Sequence, residues 1–359
     1  MFDETLTAKR TIEPKPTRTV ELDRQLRRVR FSPCGKFLFG TGHGGEINRW
    51  DVTEDEPREL PQLKGHRGWA DALAFSRDGQ TLFSVDSWGG LIAWKYAEEN
   101  AQPLWQNSEA HDGWIRSLNL SDDGTLVVTG GRDRVVRVWS ATTGKLLHEL
   151  KGHEQEVYAV AVSTEGSSVV SGDWLGHLIR WDLSTGDRVT ETRLESLHYY
   201  ERDQDVTGLQ SLMFLDEGTR LLCAGSEPTK TGNVFGVPCL RLLNPESLEE
   251  TKVWKFGVEK DGFLYDIARH SDGYYLFVTG GTPGAGMLQL FDPADDKPFF
   301  IDTKLSNPHS VAIHPDGRRV VVSATNRNSQ GNGAVRDKEG NYLGNSSPLH
   351  FFDLTDKTG

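Results

Sequence analysis

A hydroxyl, an imidazole and a carboxylate occur together in one segment of this chain, and these are the groups of a nucleophilic triad. They belong to Thr129, His111 and Asp133, and Trp139 follows a few residues later. A histidine between a carboxylate and a hydroxyl can activate the hydroxyl as a nucleophile. The same groups can instead satisfy one another inside a fold, because buried polar groups need hydrogen-bond partners. Which of the two applies depends on the elements that hold these residues.

Other groups that could do chemistry lack a recognised spacing. His309 and His314 lie at opposite ends of one predicted strand, and residues 198–205 contain possible ligands without the spacing of a known metal site. The sequence contains neither a Gly-x4-Gly-Lys-Ser/Thr phosphate loop nor a Gly-x-Ser-x-Gly nucleophile elbow. We therefore expect no catalytic residue of these kinds, no metal ion and no cofactor.

Composition narrows the class of protein. The 359 residues carry a formal net charge of −12, which argues against binding to nucleic acid or to anionic membranes. Residues 1–17 lack the apolar core of a secretory signal, and no apolar run approaches the roughly 20 residues that span a bilayer. The three cysteines, Cys34, Cys223 and Cys239, suggest free thiols in a reducing compartment. We expect a cytoplasmic protein.

A strand–turn–strand pattern recurs along the chain at intervals of 42–55 residues. Its turn glycines are Gly35, Gly79, Gly124, Gly166, Gly218, Gly273 and Gly317. In the clearest unit the alternation of apolar and polar residues predicts four strands, at residues 114–120, 125–130, 135–139 and 145–150. A period in the forties with four strands in each unit predicts a radial array of four-stranded sheets.

Three features of these units resemble those of the WD-repeat β-propeller family. A Gly-His or Ala-His pair precedes the first strand, a Ser-Pro-Asp-Gly-like turn follows it, and Trp-Asp closes the third strand. The resemblance is specific in the first four units and weakens in the last three. The residues that carry it include Gly65-His66, Ala110-His111, Gly152-His153, Ser32-Pro33-Cys34-Gly35, Ser76-Arg77-Asp78-Gly79, Trp50-Asp51 and Trp181-Asp182.

The resemblance implies an all-β fold: a seven-bladed β-propeller of four-stranded antiparallel blades. The last unit supplies only three strands before the chain ends, so an N-terminal strand, residues 18–22, is expected to complete that blade and remove the exposed sheet edges. Residues 18–353 would then form one domain, with a polar leader at 1–17 and a tail at 354–359.

The resemblance also implies a structural tetrad in which His111 bridges Asp133 and Thr129, while Thr129 meets the indole N–H of Trp139. The second and fourth units keep the histidine, the hydroxyl and the tryptophan. At the aspartate position they have Trp88 and Leu175 instead. Asp86 and Asp173 lie two residues earlier in those units, and the sequence leaves open whether they substitute.

Members of the family often bind partners on the face where the first strand of each blade begins, at the two positions that flank its first inward residue. In this chain those pairs are Gln25/Arg27, Trp69/Asp71, Trp114/Arg116, Glu156/Tyr158, Gly208/Gln210, Phe263/Tyr265 and Asn307/His309. Aromatic residues and arginine are typical of interface hot spots. With residues of neighbouring turns, the predicted partner-binding face is Trp69, Asp71, Trp88, Trp114, Arg116, Arg132, Glu156, Tyr158, Trp174, Phe263, Tyr265 and His309. Alternatively, some of these rings plug the central channel or pack between blades.

Two functions follow as hypotheses. The first is a non-catalytic scaffold that binds a protein or peptide carrying both charge and an apolar anchor, either alone or as a subunit of a larger complex. The second is a hydrolase, because residues 307–317 are similar to repeats of sugar lactonases. Long insertions at residues 193–207, 225–237 and 324–347 are candidates for function or disorder. The basic stretch at residues 24–30 is interpreted as an inner strand with Leu26 and Val29 inward and its arginines at the rim or outside.

Overall fold

The computed structural model describes residues 10–201, 203–230, 235–281, 284–325 and 346–356, and the backbone of residues 335–336 and 342–343. Strands dominate the described residues. Three short 3-10 helices accompany them, at Glu195–Leu197, Asp216–Gly218 and Glu259–Asp261. Among the described residues, no helix is both long enough and apolar enough to cross a bilayer.

Seven four-stranded antiparallel sheets form the blades of a propeller. Blade 1 consists of β2 (Leu26–Phe31), β3 (Phe37–Gly42), β4 (Ile47–Asp51) and β5 (Arg58–Leu63). Blade 2 consists of β6 (Ala70–Phe75), β7 (Leu82–Asp86), β8 (Leu91–Trp94) and β9 (Pro103–Asn107). Blade 3 consists of β10 (Ile115–Leu120), β11 (Leu126–Gly131), β12 (Val135–Ser140) and β13 (Leu146–Lys151). Blade 4 consists of β14 (Val157–Val162), β15 (Ser168–Asp173), β16 (His177–Asp182) and β17 (Arg188–Arg193).

The remaining blades follow the same plan. Blade 5 consists of β20 (Leu209–Leu215), β21 (Arg220–Pro228), β22 (Gly236–Leu243) and β23 (Glu250–Lys255). Blade 6 consists of β24 (Phe263–Arg269), β25 (Tyr275–Gly280), β26 (Met287–Phe291) and β27 (Phe300–Asp302). Blade 7 consists of β28 (Ser310–Ile313), β29 (Arg319–Ser323), β32 (Leu349–Asp356) and the N-terminal β1 (Ile12–Val20). The innermost strands β2, β6, β10, β14, β20, β24 and β28 each contact the next, and β28 contacts β2, so the ring is closed.

The seven recurrent glycines hold the same turn position in all seven blades. All seven have positive φ, between 66° and 89°, a backbone conformation that residues with a Cβ atom rarely adopt. Each glycine therefore ends the turn between the first and second strands of its blade. The predicted strands of the third unit agree with β10 to β13 to within one residue at each end.

The N-terminal strand closes blade 7, as predicted, but its bounds differ from the prediction. β1 runs antiparallel to β32, with Ile12 opposite Asp356 and Val20 opposite Leu349. Residues 12–17, expected in the polar leader, thus belong to the blade. Their sequence does not predict a strand, because it contains two prolines, Pro14 and Pro16. An outermost strand tolerates proline, since one side of its ladder has no partner strand.

The three long insertions have different structures. Residues 193–207 contain a 3-10 helix and a small antiparallel hairpin of β18 (His198–Glu201) and β19 (Gln204–Thr207). Of residues 225–237, residues 225–228 and 236–237 extend β21 and β22, whose pairing continues to Pro228 and Gly236, and residues 231–234 lie outside the described residues. Within residues 324–347 the described parts include two short strands, β30 (Val335–Arg336) and β31 (Tyr342–Leu343). Most of that segment lies outside the described residues.

Apolar side chains fill the interfaces between neighbouring blades. Each of the seven interfaces holds its own cluster of buried residues. Between blades 3 and 4, for example, Val128 and Val138 pack with Val160 and Trp181. Fully burying such a side chain contributes about 1.5–3 kcal/mol to stability. Every blade is therefore held from both sides, which gives the loops at the channel mouth a rigid base.

Candidate functional site

The possible triad in blade 3 is a buried hydrogen-bond network. His111 Nε2 lies 2.8 Å from Thr129 Oγ1, and His111 Nδ1 lies 2.8 Å from Asp133 Oδ1. The indole of Trp139 donates to the same hydroxyl oxygen at 2.8 Å. Thr129 is fully buried. A hydroxyl with these partners and no solvent access stabilises the blade and cannot attack a substrate.

Asp86 and Asp173 do substitute for the missing aspartates of blades 2 and 4. His66 Nδ1 lies 2.9 Å from Asp86, and His153 Nδ1 lies 3.1 Å from Asp173. The equivalent position in blade 3 is Gly131, where a Cβ atom would lie 2.9 Å from His111 Nδ1. A side chain at this position therefore points at the imidazole. The carboxylate can reach the histidine from either of two backbone positions.

The environment fixes the charge states in these tetrads. Burial lowers the pKa of His111 and His153, against the opposing effect of their aspartates. Burial alone would raise the pKa of Asp86 and Asp133, but hydrogen bonds and the nearby imidazoles hold it well below its usual range. The carboxylates are therefore ionised at neutral pH.

One cavity of about 580 Å³ occupies the channel where the innermost strands begin. Seven of its lining residues are the second members of the flanking pairs, one from each blade. They are Arg27, Asp71, Arg116, Tyr158, Gln210, Tyr265 and His309. The counting rule applied to the sequence thus brings together side chains from all seven blades in one place.

Aromatic rings and arginines alternate along one side of this cavity, across blades 1 to 3. Asp71 accepts hydrogen bonds from Trp114 Nε1 at 2.6 Å and from Arg27 Nε at 2.9 Å. Arg27 lies 5.1 Å from the ring centroid of Trp114, and Arg116 stacks on the same ring at 3.7 Å. Trp69 packs edge-to-face on Trp114, with 5.6 Å between ring centroids.

The alternation continues into blade 4. Arg116 pairs with Glu156 at 3.2 Å and lies 5.2 Å from the ring centroid of Tyr158. Tyr158 in turn packs on Trp174 at 4.9 Å. Arg132 reaches Glu156 at 3.6 Å while its side chain stays 69% exposed. We call this set the aromatic–arginine cluster; its members are Arg27, Trp69, Asp71, Trp114, Arg116, Arg132, Glu156, Tyr158 and Trp174.

The other four predicted residues lie outside this cluster. Trp88 is 63% exposed on a neighbouring turn, and among the described contacts its ring joins none of those above. Phe263 is buried, and Tyr265 packs against the apolar cluster between blades 6 and 7, where burial raises its pKa. His309 also lines the cavity on that side. The rings of Phe263 and Tyr265 thus fit the alternative in which a ring packs against the blades better than display to solvent.

Sequence reasoning missed a buried ion-pair network on the opposite wall. Arg30 donates to both carboxylate oxygens of Asp266, at 2.7 and 2.9 Å, and Arg28 lies 3.3 Å from the same group. Ser310 donates to it at 2.6 Å. Burial alone would raise the pKa of Asp266, but the charges of Arg30 and Arg28 lower it to about 2.

The arginines of β2 were expected at the rim or outside, and that expectation was wrong for Arg28 and Arg30, which line the cavity beside Asp266; Arg27 belongs to the seven residues at the channel mouth. The register between β2 and β3 shifts between Leu26 and Val29. Such an irregularity redirects side chains relative to a simple alternation. Leu26 and Val29 are buried, as predicted. A bulge of this kind has no signal in the residue types.

The cavity mouth carries an excess of positive charge. Its three carboxylates, Asp71, Glu156 and Asp266, are each engaged by at least two donors from within the protein. Five guanidinium groups face them, those of Arg27, Arg28, Arg30, Arg116 and Arg132. Burial lowers the pKa of His43 and also that of His309, the latter to about 4, so both are neutral at pH 7. A locally cationic surface thus lies on a protein whose formal net charge is −12.

Comparison with known proteins agrees with this architecture. The family described as "WD domain, G-beta repeat" matches residues 103–140 and 144–182. Each matched segment begins with the outermost strand of one blade and continues through the three inner strands of the next, β9 to β12 and then β13 to β16.

A relative shares part of this sequence. "Protein groucho" of Drosophila melanogaster is 26% identical over 156 residues, which are 44% of this chain and 20% of that protein. The chain therefore aligns with about a fifth of the length of this curated relative. The seven-bladed ring and these two similarities support the resemblance of the chain to the WD-repeat β-propeller family.

Proposed function

We propose that this propeller is a non-catalytic interaction scaffold, and that the aromatic–arginine cluster binds a segment of a partner protein. The observation that carries the proposal is the set of contacts around Trp114. That ring is stacked by Arg116, hydrogen-bonded by Asp71 and covered on its edge by Trp69. Interface hot spots are rich in Trp, Tyr and Arg held in fixed positions in this way.

The exposed aromatic surface supports an apolar anchor on the partner. Trp69 is 45% exposed although it packs on Trp114 and on His43. A large ring left half in water at the edge of a concave cavity can bury further apolar area when a partner covers it. The cavity of about 580 Å³ has room for side chains of a peptide but not for a folded domain.

The charge balance supports a negatively charged partner. Asp71 and Glu156 are neutralised by Arg27, Arg116 and Arg132, so these carboxylates do not attract a cation. The arginines in excess attract Asp, Glu or a terminal carboxylate, and a guanidinium binds a carboxylate through two parallel hydrogen bonds. We therefore propose a peptide segment with an aromatic or aliphatic anchor and flanking acidic residues.

A phage-displayed random peptide library, selected on the wild-type protein, tests this proposal. Selected peptides should bind at least tenfold more weakly to Trp69→Ala and Trp114→Ala variants. Leu147→Ala is the matched control, because Leu147 is also 45% exposed but lies on β13, the outermost strand of blade 3. Peptides that bind all four proteins equally would show that the site lies elsewhere.

The hydrolase alternative depends on His309. The structure gives its Nε2 atom no hydrogen-bond partner, and the residue lines the channel. The nearby carboxylate of Asp266 is held by Arg28, Arg30 and Ser310, so it is not available to orient the imidazole. Turnover of a lactone or ester by the wild type, lost in His309→Ala, would favour the hydrolase over the scaffold.

A further inference from the structure

Blade 4 brings three potential metal ligands together beside its tetrad. One possible ligand atom from each of His153, Asp173 and His177 lies within 4.8 Å of the other two. The first two are 3.1 Å apart, and His177 Nδ1 is 3.9 Å from the carboxylate. The two imidazole rings cross at 74° with 5.7 Å between their centroids.

The corresponding places in blades 2 and 3 show why blade 4 is different. Blade 2 has Gly90 at the position of His177 and so offers only two donors. In blade 3 a cation already occupies this place, because the guanidinium of Arg137 lies 2.8 Å from His111 Nδ1 and 2.5 Å from Asp133. In blade 4, Ile179 stands at the strand position that Arg137 holds in blade 3, because each lies opposite the tetrad hydroxyl of its blade. Blade 4 thus keeps the ligands and lacks the internal cation.

The surrounding hydrogen bonds allow both imidazoles to present Nδ1 without a proton. Ser171 Oγ accepts a hydrogen bond from the indole N–H of Trp181 at 2.8 Å and can donate a hydrogen bond to the Ile179 carbonyl at 3.4 Å. The hydroxyl oxygen is therefore free to accept a hydrogen bond from a protonated His153 Nε2, which lies 2.7 Å away. No such carbonyl partner of the hydroxyl is among the described contacts of Ser84 or Thr129.

The second histidine has an equivalent support. His177 Nε2 lies 3.0 Å from the carboxylate of Glu191, which Arg188 also contacts at 2.7 Å. A carboxylate in this position fixes the tautomer in which Nδ1 is the metal ligand, and such partners commonly orient metal-binding histidines.

We propose that His153, Asp173 and His177 bind a divalent transition-metal ion, with Zn²⁺ as the best fit. Two imidazole nitrogens, one carboxylate oxygen and one open position are a donor set that Zn²⁺ uses. Ligand atoms around tetrahedral zinc are roughly 3.3 Å apart, given Zn–N distances near 2.0–2.1 Å. His153 Nδ1 and Asp173 Oδ2 are already close to this separation at 3.1 Å, whereas His177 Nδ1, at 3.9 Å from the carboxylate, has to move toward the other two ligands. The side chain of His177 is 16% exposed and provides the route for the ion and a water ligand. Binding would require the proton of His153 to lie on Nε2, where Ser171 Oγ accepts its hydrogen bond.

Titration of the EDTA-treated full chain with ZnCl₂ tests the proposal, followed by calorimetry and thermal unfolding. We expect a one-site isotherm, a rise in Tm, and an absorption spectrum of tetrahedral coordination when Co²⁺ replaces Zn²⁺. His177→Ala should weaken the affinity by more than tenfold without unfolding the protein, because His177 is not part of the tetrad. Glu191→Gln should weaken it by about 10–100-fold through loss of the orienting contact.

His198→Ala is the matched control, because His198 forms a His–Asp pair with Asp205 at 2.6 Å on the exposed hairpin of β18 and β19. This variant should bind Zn²⁺ as the wild type does. Absence of Zn²⁺ binding to the wild type, equal binding to His177→Ala, or a loss confined to His198→Ala would each overturn the assignment.

Discussion

The carboxylate of Asp86 lies 2.9 Å from Nδ1 of His66. It makes the contact that Asp133 makes with His111, yet it comes two residues after the tetrad hydroxyl, whereas Asp133 comes four residues after it. From its earlier position Asp86 also accepts the backbone N–H groups of Trp88 and Gly90, each at 2.8 Å. The tetrad therefore requires a carboxylate that can reach Nδ1 of the histidine, and this carboxylate can come from either of two positions in the sequence.

The first prediction concerns this substitution. Asp86→Ala should lower the free energy of unfolding by about 3 kcal/mol, because it leaves the buried His66 side chain and three backbone donors without their acceptor. Urea unfolding measures the change. Asp112→Ala, at an exposed position next to the blade 3 histidine, should change it by less than about 0.5 kcal/mol. Equal effects of the two variants would contradict a structural role for Asp86.

The second prediction concerns ring closure. Deleting residues 1–20 removes β1 and exposes an edge of β32 in blade 7, including part of the apolar cluster it covers. A loss of several kcal/mol should lower Tm by roughly 10 °C. Deleting residues 1–9 removes none of β1 and should leave Tm unchanged. If both deletions have the same Tm as the intact chain, β1 does not lock the ring.

The third prediction is a pH dependence that arises from His309. Burial lowers its pKa from 6.5 to about 4 in the folded state, so the unfolded chain binds the proton first as the pH falls. The contribution of neutral His309 is complete above pH 6.5 and is lost between pH 6.5 and 4, by about 3 kcal/mol. The stability of the wild type should therefore fall relative to that of His309→Asn by that amount as the pH is lowered through this range. Urea midpoints at several pH values test it, and a difference that is independent of pH would refute it.

The fourth prediction concerns the charge of the partner. Arg132→Gln should slow the association of an acidic peptide about threefold and weaken its dependence on salt, because an exposed charge at the rim acts mainly on the association rate. Arg77→Gln, at the exposed turn that follows β6, should leave the rate unchanged. Stopped-flow measurements at two salt concentrations compare them. Equal slowing by both variants would mean that only the overall charge of the protein matters.

The fold was predictable from the sequence because its signals are local. Seven glycines with positive φ mark the same turn in each blade, and the alternation around Val135 to Trp139 defines a strand directly. The candidate site was predictable only in part. Counting from the turn glycine located Arg116 and Tyr158 at the channel mouth, because it follows the strand register.

Other features depend on contacts that no single segment contains. The bulge in β2 turned Arg28 and Arg30 toward Asp266, which lies more than 200 residues away in the sequence. The role of Asp86 depended on the distance between two turns. The start of β1 was not predicted because Pro14 and Pro16 lie there, and an outermost strand accepts proline where an inner strand does not.

Because Ile12 pairs with Asp356, the blades could be encoded in a different order without changing the ring. Residues opposite each other in an antiparallel pair are about 5 Å apart, so a linker of two to five residues can join them as a hairpin does. New termini could then be opened at the turn of residues 244–248, which connects β22 and β23. The resulting circular permutant would begin and end in blade 5 while every inter-blade interface kept its present neighbours.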